Sequence, residues 1–489
     1  MTISMGFRYN VLDPQRGASP NTFQAVGAGI WDSLVELTPT AAARPGIAER
    51  WEISKDGMSH IFYIRKGVKF HDGSDLTGED VKYSLERALV PENTASVAGI
   101  LRKVVARVEL KDPFTVVIHR TTPLFELDPE VTNLQGLTAI VPKKYIEAKG
   151  EAYFESHPMG SGPFRVLNYV PGGELVLEAI ENHWRAVPEF KTIKIINVTE
   201  EASKIAMLKT GELDIAQIAP DSSAGLKSAG LQMVVHDGGA QYYMALYHDL
   251  NNPDKYALGN LKVRQALSLS VNRKELADKL YGGYASPSAF FYAPASAYFF
   301  DANVLKPDPY DPEGAKKLLA AAGYPSFRMK LWDLGGGGQL TLFNQALLGY
   351  WRAIGVNAEL TPIDQAALTA MYRPVQTPPV WDTVRTTLTG GGVFQFEKMA
   401  QVYHSKISSM RALAIPELDD LIDLVPMTAD PAEKKRLALK AAVMARDSYT
   451  LIPILDMYTV YATSNKVGKF VPINNIVDLA ASLETITRK

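Results

Sequence analysis

A helix closed by glycine and followed at once by a strand recurs along this chain. Neither an all-helical nor an all-β fold accommodates that unit. In EEASKIAMLKTGELDIAQI, Ile205 and Leu208 stand at helical spacing, Gly211 stops the helix, and LDIAQI reads as a strand. LFNQALLGYWRAIGVNAEL repeats the design. Phe343, Leu347, Tyr350 and Ile354 share a face, Gly355 ends the helix, and Val356, Ala358 and Leu360 alternate. Glycine supplies the left-handed cap that other residues adopt only at a cost. YDPEGAKKLLAAAGYP is a third helix. Asp311 caps it, Pro312 takes its first position and Glu313 complements the positive helix start. Ala315, Leu318, Leu319 and Ala322 form its buried stripe before Gly323 and Pro325 close it. VRQALSLSVNRKELADKLYGG reads as another single helix, with Val263, Leu267 and Val271 on one face. Helices and strands alternating in this way predict α/β layers.

The chain has 489 residues. Single cores stop growing at roughly 250 to 300 residues, so at least two lobes are expected. Residues 50–140 depart from the α/β pattern: HIFYIR and FTVVIHR are short strands around one helix, which predicts a smaller α+β insertion. Turn-rich stretches lie at 281–311 and 372–395.

HDGSDLTGED, residues 71–80, crowds a histidine and four carboxylates into ten positions. After the strand HIFYIR it parses as a turn, tightest at Asp72-Gly73. A helix follows, capped by Thr77 and carrying Glu79 and Asp80 in its first turn, where the helix dipole favours acids. Val81, Leu85, Ala88 and Leu89 form the apolar stripe. A calcium loop needs acids at alternate positions closing on a bidentate glutamate, and that pattern is absent. No metal site is expected here.

Composition narrows the function. The net charge of −2 leaves no basic footprint for nucleic acid. No apolar run approaches the roughly 18 residues of a membrane span. The absence of cysteine removes disulfides, thiolate ligands and cysteine nucleophiles, and suits an exported protein. Met1 runs directly into the strand-like TISMGF, which suggests that an export segment upstream has been removed. The sequence shows no nucleophile elbow, no H-E-x-x-H and no P-loop lysine motif. GGGG at 335–338 lacks the following Lys-Ser/Thr and reads as a turn after the strand RMKLWDL. Asp419-Asp420 reads as a solvated helix face. A non-enzyme is expected, although a pair of carboxylates facing one cleft leaves a hydrolase as the alternative from another class.

HDGSDLTGED also resembles the signature segment of the family 5 extracellular solute-binding proteins, the peptide- and nickel-binding type that serve ABC importers. GSGPFRV, ENHWRAVPEFKTIKI, LKTGELDI, VRQALSLSVNRKELADKLYGGYASP, YDPEGAKKLLAAAGYP, RAIGVNAEL and IPILDMYTVYATSNKVGKF follow in the family's order over nearly the whole chain. The resemblance implies an α/β, two-lobed periplasmic binding protein fold of type II, in the large peptide-binder subclass, with an inserted α+β domain and two hinge crossings. It implies a first-lobe domain of residues 1–31, 160–242 and 456–489, an inserted domain of 32–159 and a second lobe of 243–455. The crossings would lie near Tyr243–Tyr247 and Ile454–Tyr458. The implied protein is a periplasmic monomer without a cofactor. It captures a small organic solute between its lobes and delivers it to the permease subunits of the ABC transporter. An oligopeptide or metal-chelate binder is the alternative within the family.

Ligand sites of this kind are largely apolar with a few placed polar groups. Four stretches have that chemistry. In SPNTFQ, Thr22, Phe23 and Gln24 face ligand, or else open a helix with a buried Phe. In GGAQYYMALY, Tyr242 and Tyr243 lie at the expected crossing, one of them equally suited to core. Trp332 ends a strand before a loop, where cleft residues of open α/β sheets gather, and ordinary packing explains it as well. WDTVRTTLTGGGVF aligns by resemblance with a segment that, in dipeptide binders, carries the aspartate pairing the ligand's amino terminus. Residues 383–396 hold no acid, and Arg385 stands among them. Its planar fork suits a carboxylate, or it pairs structurally or snorkels. Trp381, Thr387 and Phe394 from this stretch, and Arg373 beside Pro374, complete the expected ligand set. A ligand more anionic than a free dipeptide follows.

Overall fold

A computed structural model describes residues 1–5, 11–16, 27–37, 43–91, 93, 96–125, 127, 138–247, 256–291, 299–333, 338–363, 382–390, 396, 398–406, 414–472 and 483–489. The chain divides into two units, one of Met1–His236 with Val460–Lys489 and one of Asp237–Thr459.

The first unit holds two cores. Its strands in chain order are β1 (Thr2–Met5), β2 (Val35–Leu37), β3 (Ala43–Pro45), β4 (Ala48–Ile53), β5 (Ser59–Ile64), β6 (Val105–Asp112), β7 (Thr115–Arg120), β8 (Phe164–Tyr169), β9 (Leu175–Ala179), β10 (Thr192–Asn197) and β11 (Ile215–Ile218). β1 pairs in parallel with β10 and β11, and β9 continues the sheet antiparallel to both β10 and β8. β1 alternates, with Ile3 and Met5 fully buried on one face in a core with Phe164, Leu177, Ile195 and Ile215, and Ser4 buried on the other. The helix Glu201–Thr210 leads into β11 through Gly211, whose φ of 77° is the left-handed cap expected of it. The second core lies under the antiparallel sheet β4-β5-β7-β6, where Phe62 and Ile64 meet Val81, Leu85 and Ala88 of the helix Gly78–Leu89. That is the α+β stretch read at residues 50–140.

The second unit is built on β12 (Gln232–Tyr247), β13 (Ala285–Pro287), β14 (Phe327–Asp333), β15 (Val356–Pro362), β16 (Thr383–Gly390) and β17 (Leu451–Thr463), ordered β15-β14-β16-β12-β17 with β13 on β17. β12 and β17 are the strands in which the chain passes from one unit to the other, at His236/Asp237 and Thr459/Val460. The two faces of this sheet carry separate cores. One packs Met244, Leu331 and Val384 against the helices Leu261–Leu269, Pro312–Ala321 and Gly338–Ala353. The other packs Tyr243, Ala245 and Trp332 against Phe290, Phe291, Tyr403 and the helices Pro416–Leu424 and Pro431–Asp447. Asp311 caps its helix by accepting the Gly314 N–H at 2.8 Å, with Pro312 at the first helical position.

One reading changes. VRQALSLSVNRKELADKLYGG forms two helices, Leu261–Leu269 and Arg273–Tyr281, not one. The Asn272 side chain accepts the Glu275 N–H at 3.0 Å and starts the second helix. The apolar stripe hid the break because Val263, Leu267 and Val271, all fully buried, carry the helical spacing up to it.

Candidate functional site

β-Strands present alternate residues to opposite faces, and directly paired residues share a face. β12 therefore separates the two tyrosines of GGAQYYMALY. Tyr242 joins the Met244 face, stacks on Phe343 at 4.5 Å and lies near Tyr281, so it is a core residue. Tyr243 turns to the other face, edge-on to Phe291 at 4.3 Å. Arg385 is paired with Ala245 on β12 and with Trp332 on β14. Tyr243, Trp332 and Arg385 thus occupy one face of three adjacent strands, at 2%, 8% and 7% exposure. Thr387 sits opposite Tyr243 in the same register. Thr22, Phe23, Gln24, Arg373, Trp381 and Phe394 lie outside the described residues.

The start of β16 is pinned so that Arg385 keeps its register. Asp382, immediately before the strand, accepts the N–H groups of Ala257 and Leu258 at 2.9 and 2.8 Å. Its own carbonyl accepts the Lys330 N–H of β14 at 2.9 Å. Burial raises the Asp382 pKa, against the pull of the two backbone donors. On the opposite face Thr386 donates its hydroxyl to Asn344. Val384, Arg385, Thr386 and Thr387 alternate, so one strand supplies core on one side and a guanidinium on the other.

A further polar group on this face escaped the sequence reading. Gln241 has the parity of Tyr243, and its Nε2 donates to Asp456 Oδ1 at 2.7 Å, Ser288 Oγ at 2.7 Å and the Phe290 carbonyl at 3.0 Å. Ser288 also hydrogen-bonds to the Asp456 carboxylate. Burial pushes the Asp456 pKa up, and these two neutral partners only partly oppose it. The available signal was that Asp456 is the single charged residue in LIPILDMYTVYAT.

HDGSDLTGED lies in the first unit and serves the fold. Gly73 takes φ 84°, and the Asp72 carboxylate accepts the Ser74 N–H and hydroxyl at 2.9 and 2.6 Å. Asp75 pairs with Lys69. Thr77 accepts the Glu79 N–H, while Asp80 accepts the Thr77 N–H at 2.9 Å, a reciprocal cap. His71 Nδ1 accepts the Gly160 N–H at 3.3 Å, and its Nε2 donates to the Gly162 carbonyl at 2.9 Å. Those bonds fix a neutral tautomer, and burial lowers its pKa to about 4. Glycine is required at 160 and 162, where a Cβ would meet the Ile30 carbonyl oxygen at 2.1 Å and the Gly29 carbonyl oxygen at 2.6 Å. Beside this turn Asp32 accepts from Ser161 at 3.0 Å, Trp184 at 3.1 Å and Arg185 at 3.0 Å. Arg185 also pairs with Glu36 and Glu484. Burial alone would raise the Asp32 pKa, yet Arg185, helped by His183 and Trp184, holds it below the usual carboxylate range. Among the described residues no group of three or more histidines and carboxylates is arranged to hold a metal ion.

The sequence profile of the bacterial extracellular solute-binding proteins, family 5 Middle, matches residues 42–393. The chain is 30% identical over 368 residues to the glutathione-binding protein GsiB of Salmonella typhimurium, covering 74% of this chain and 69% of that one. Its fold is similar to that of HbpA2 from Haemophilus parasuis, with a TM-score of 0.86 at 21% identity, covering 100% and 99% of the two chains. It is also similar to that of AgaA from A. tumefaciens R10 in complex with agropinic acid, with a TM-score of 0.77 at 21% identity, covering 100% and 98%. These are two-lobed periplasmic binding protein structures, and the α/β expectation agrees with them.

Proposed function

The chain belongs to the bacterial extracellular solute-binding proteins, family 5, and on that premise we propose that it captures a small organic solute through a carboxylate paired with Arg385. As a member of that family it is a solute-binding protein of an ABC importer. The observation that carries the ligand chemistry is a guanidinium at 7% exposure, on the same sheet face as Trp332 and Tyr243. A rigid fork gives a carboxylate two parallel hydrogen bonds, and neighbouring aromatic surface excludes the water that would compete for them. Two relatives support an acidic ligand. One is named for glutathione, which carries two carboxylates, and one holds agropinic acid. The protein works in the periplasm as a monomer, hands its ligand to the permease subunits and performs no chemistry on it.

Calorimetry with glutathione and with amine-free organic acids tests the reading. Arg385→Ala weakens the carboxylate ligand by about 2–5 kcal/mol, the range for removing one partner of a buried charge pair. Arg385→Lys recovers only part of the loss, because an ammonium lacks the fork. Wild-type affinity in Arg385→Ala overturns the carboxylate pairing and leaves the family untouched.

A further inference from the structure

We propose that a small cavity in the second unit, lined by Arg273, Lys306 and Arg446, binds one halide ion such as chloride. The site is independent of the solute and of Arg385.

The first ground is what lines the cavity. Arg273 opens the helix Arg273–Tyr281, Arg446 stands in the last turn of the helix Pro431–Asp447, and Lys306 lies in the segment before the helix Pro312–Ala321. Ser288, Asp308 and Tyr449 complete the polar lining. Three cations thus meet one carboxylate around this space. Like charges gathered in this way repel one another unless an opposite charge sits among them.

The second ground is that the carboxylate is already engaged. Asp308 Oδ1 accepts the Tyr449 hydroxyl at 3.0 Å, and its Oδ2 accepts the Ser268 hydroxyl. Arg273 Nη2 stands 3.9 Å from Oδ2, too far for a hydrogen bond. Arg273 is 3% exposed, and its guanidinium donates to the Pro453 carbonyl, the Ser268 carbonyl and the Ser268 hydroxyl, all of them neutral. Burial lowers its pKa, and Asp308 and Tyr449 offset that only in part. Arg446 pairs with Asp447, which is 55% exposed. The Lys306 ammonium has no hydrogen bond or ion pair among the described residues. Even with Asp447 counted, the cations exceed the acids by one.

The third ground is the backbone. Tyr449 has φ 52°, and it is the one non-glycine residue with positive φ among the described residues. A bulky side chain disfavours that conformation. Tyr449 is held in it with its hydroxyl on Asp308, so a strained residue fixes the one acid of the cavity. Strain is retained where surrounding structure holds a site in place.

Size sets the chemical class. The cavity has room for about one water-sized particle, which leaves no space for phosphate, sulfate or an organic acid and admits a monatomic anion. A water molecule there would leave the excess of positive charge standing.

The test follows the melting temperature of the full chain as sodium methanesulfonate is replaced by sodium chloride. The methanesulfonate anion is too large for the cavity, and constant ionic strength keeps screening fixed. Chloride raises the melting temperature along a saturating curve, by about 2–4 °C at ten times its dissociation constant. Lys306 is exposed, so Lys306→Gln leaves the fold intact, and it raises the half-saturating chloride at least about tenfold. Adding Arg446→Gln abolishes the response. Crystals soaked in bromide show an anomalous peak in the cavity. Equal curves for the two salts, a chloride response that survives in the double variant, or bromide found only elsewhere on the surface overturns the site and leaves the cavity to water.

Discussion

Two aspartates, Asp32 fully buried and Asp456 half-buried, show what the two halves of this molecule do with charge. Asp32 in the first unit is surrounded by Arg185, Trp184, Ser161 and His183, and its pKa is held down. Asp456 in the second unit meets an amide and a hydroxyl and no charged partner among the described residues, and burial pushes its pKa up. The first arrangement is closed: Asp32, Glu36 and Glu484 all reach Arg185, and Glu36 reaches Arg44 as well. Charge there is consumed in joining distant segments. The second arrangement holds a carboxylate by neutral donors, with no ion pair among the described residues. Asp32 is the more deeply buried of the two, and it is the charge of its neighbours that holds its pKa down all the same.

Variants in the first unit should strike stability and those in the second should strike binding. The largest effect belongs to Arg185→Met. It leaves three buried carboxylates facing one another, and removing one partner of a buried pair costs about 3–5 kcal/mol. Urea unfolding reads that loss, and an unchanged midpoint would break the comparison at its stronger end. Next comes His71. Its folded pKa of about 4 lies below the ordinary 6.5, so its contribution is fully present above pH 6.5 and is lost as pH falls toward 4. The drop amounts to at most about 3 kcal/mol. Asp32, His183 and Arg165 are the charged or titratable groups around it. His71→Gln preserves a donor and an acceptor and should flatten the slope of stability between those pH values. A slope identical to wild type would assign the acid sensitivity elsewhere. Thr77→Ala removes one half of a reciprocal cap and lowers the melting free energy by about 0.5–2 kcal/mol without altering ligand affinity. The smallest effect on the fold is that of Asp456→Asn, which stays within about 1 kcal/mol of wild type because no ion pair is broken. A large destabilisation there would make Asp456 a second Asp32.

Short-range chemistry was readable from the sequence and long-range convergence was not. The Asp311 cap, Pro312 at the first helical turn and the glycine stops at 211 and 355 depend on neighbours within four residues, and they stand where the residues placed them. The helix break at Asn272 was missed because Val271 continues the apolar stripe across it. HDGSDL was legible as a turn, and GSGPF and NHWR as separate segments of the family pattern. Their joining through His71, Ser161, His183 and Arg185 links residues up to 153 positions apart and has no local signature. At the candidate site, β-alternation was enough to put Tyr242 and Tyr243 on opposite faces, but which face was core depended on the helices packed there. Asp456 was not legible because it lies on β17, two strands from Arg385 and without a local motif of its own.

The division of the chain also fixes an order of assembly. Asp237–Thr459 is one uninterrupted run, so every residue of the second unit has been synthesised when Thr459 is added. The first unit waits. β11 lacks its antiparallel partner until Val460–Thr463 is made, and Arg185 lacks Glu484 until 299 further residues are made. Domains ordinarily form in the order in which they leave the ribosome. Here the unit holding residues 1–236 is completed after the one that follows it, with Arg185 in an uncompleted charge cluster while about three hundred residues are added behind it.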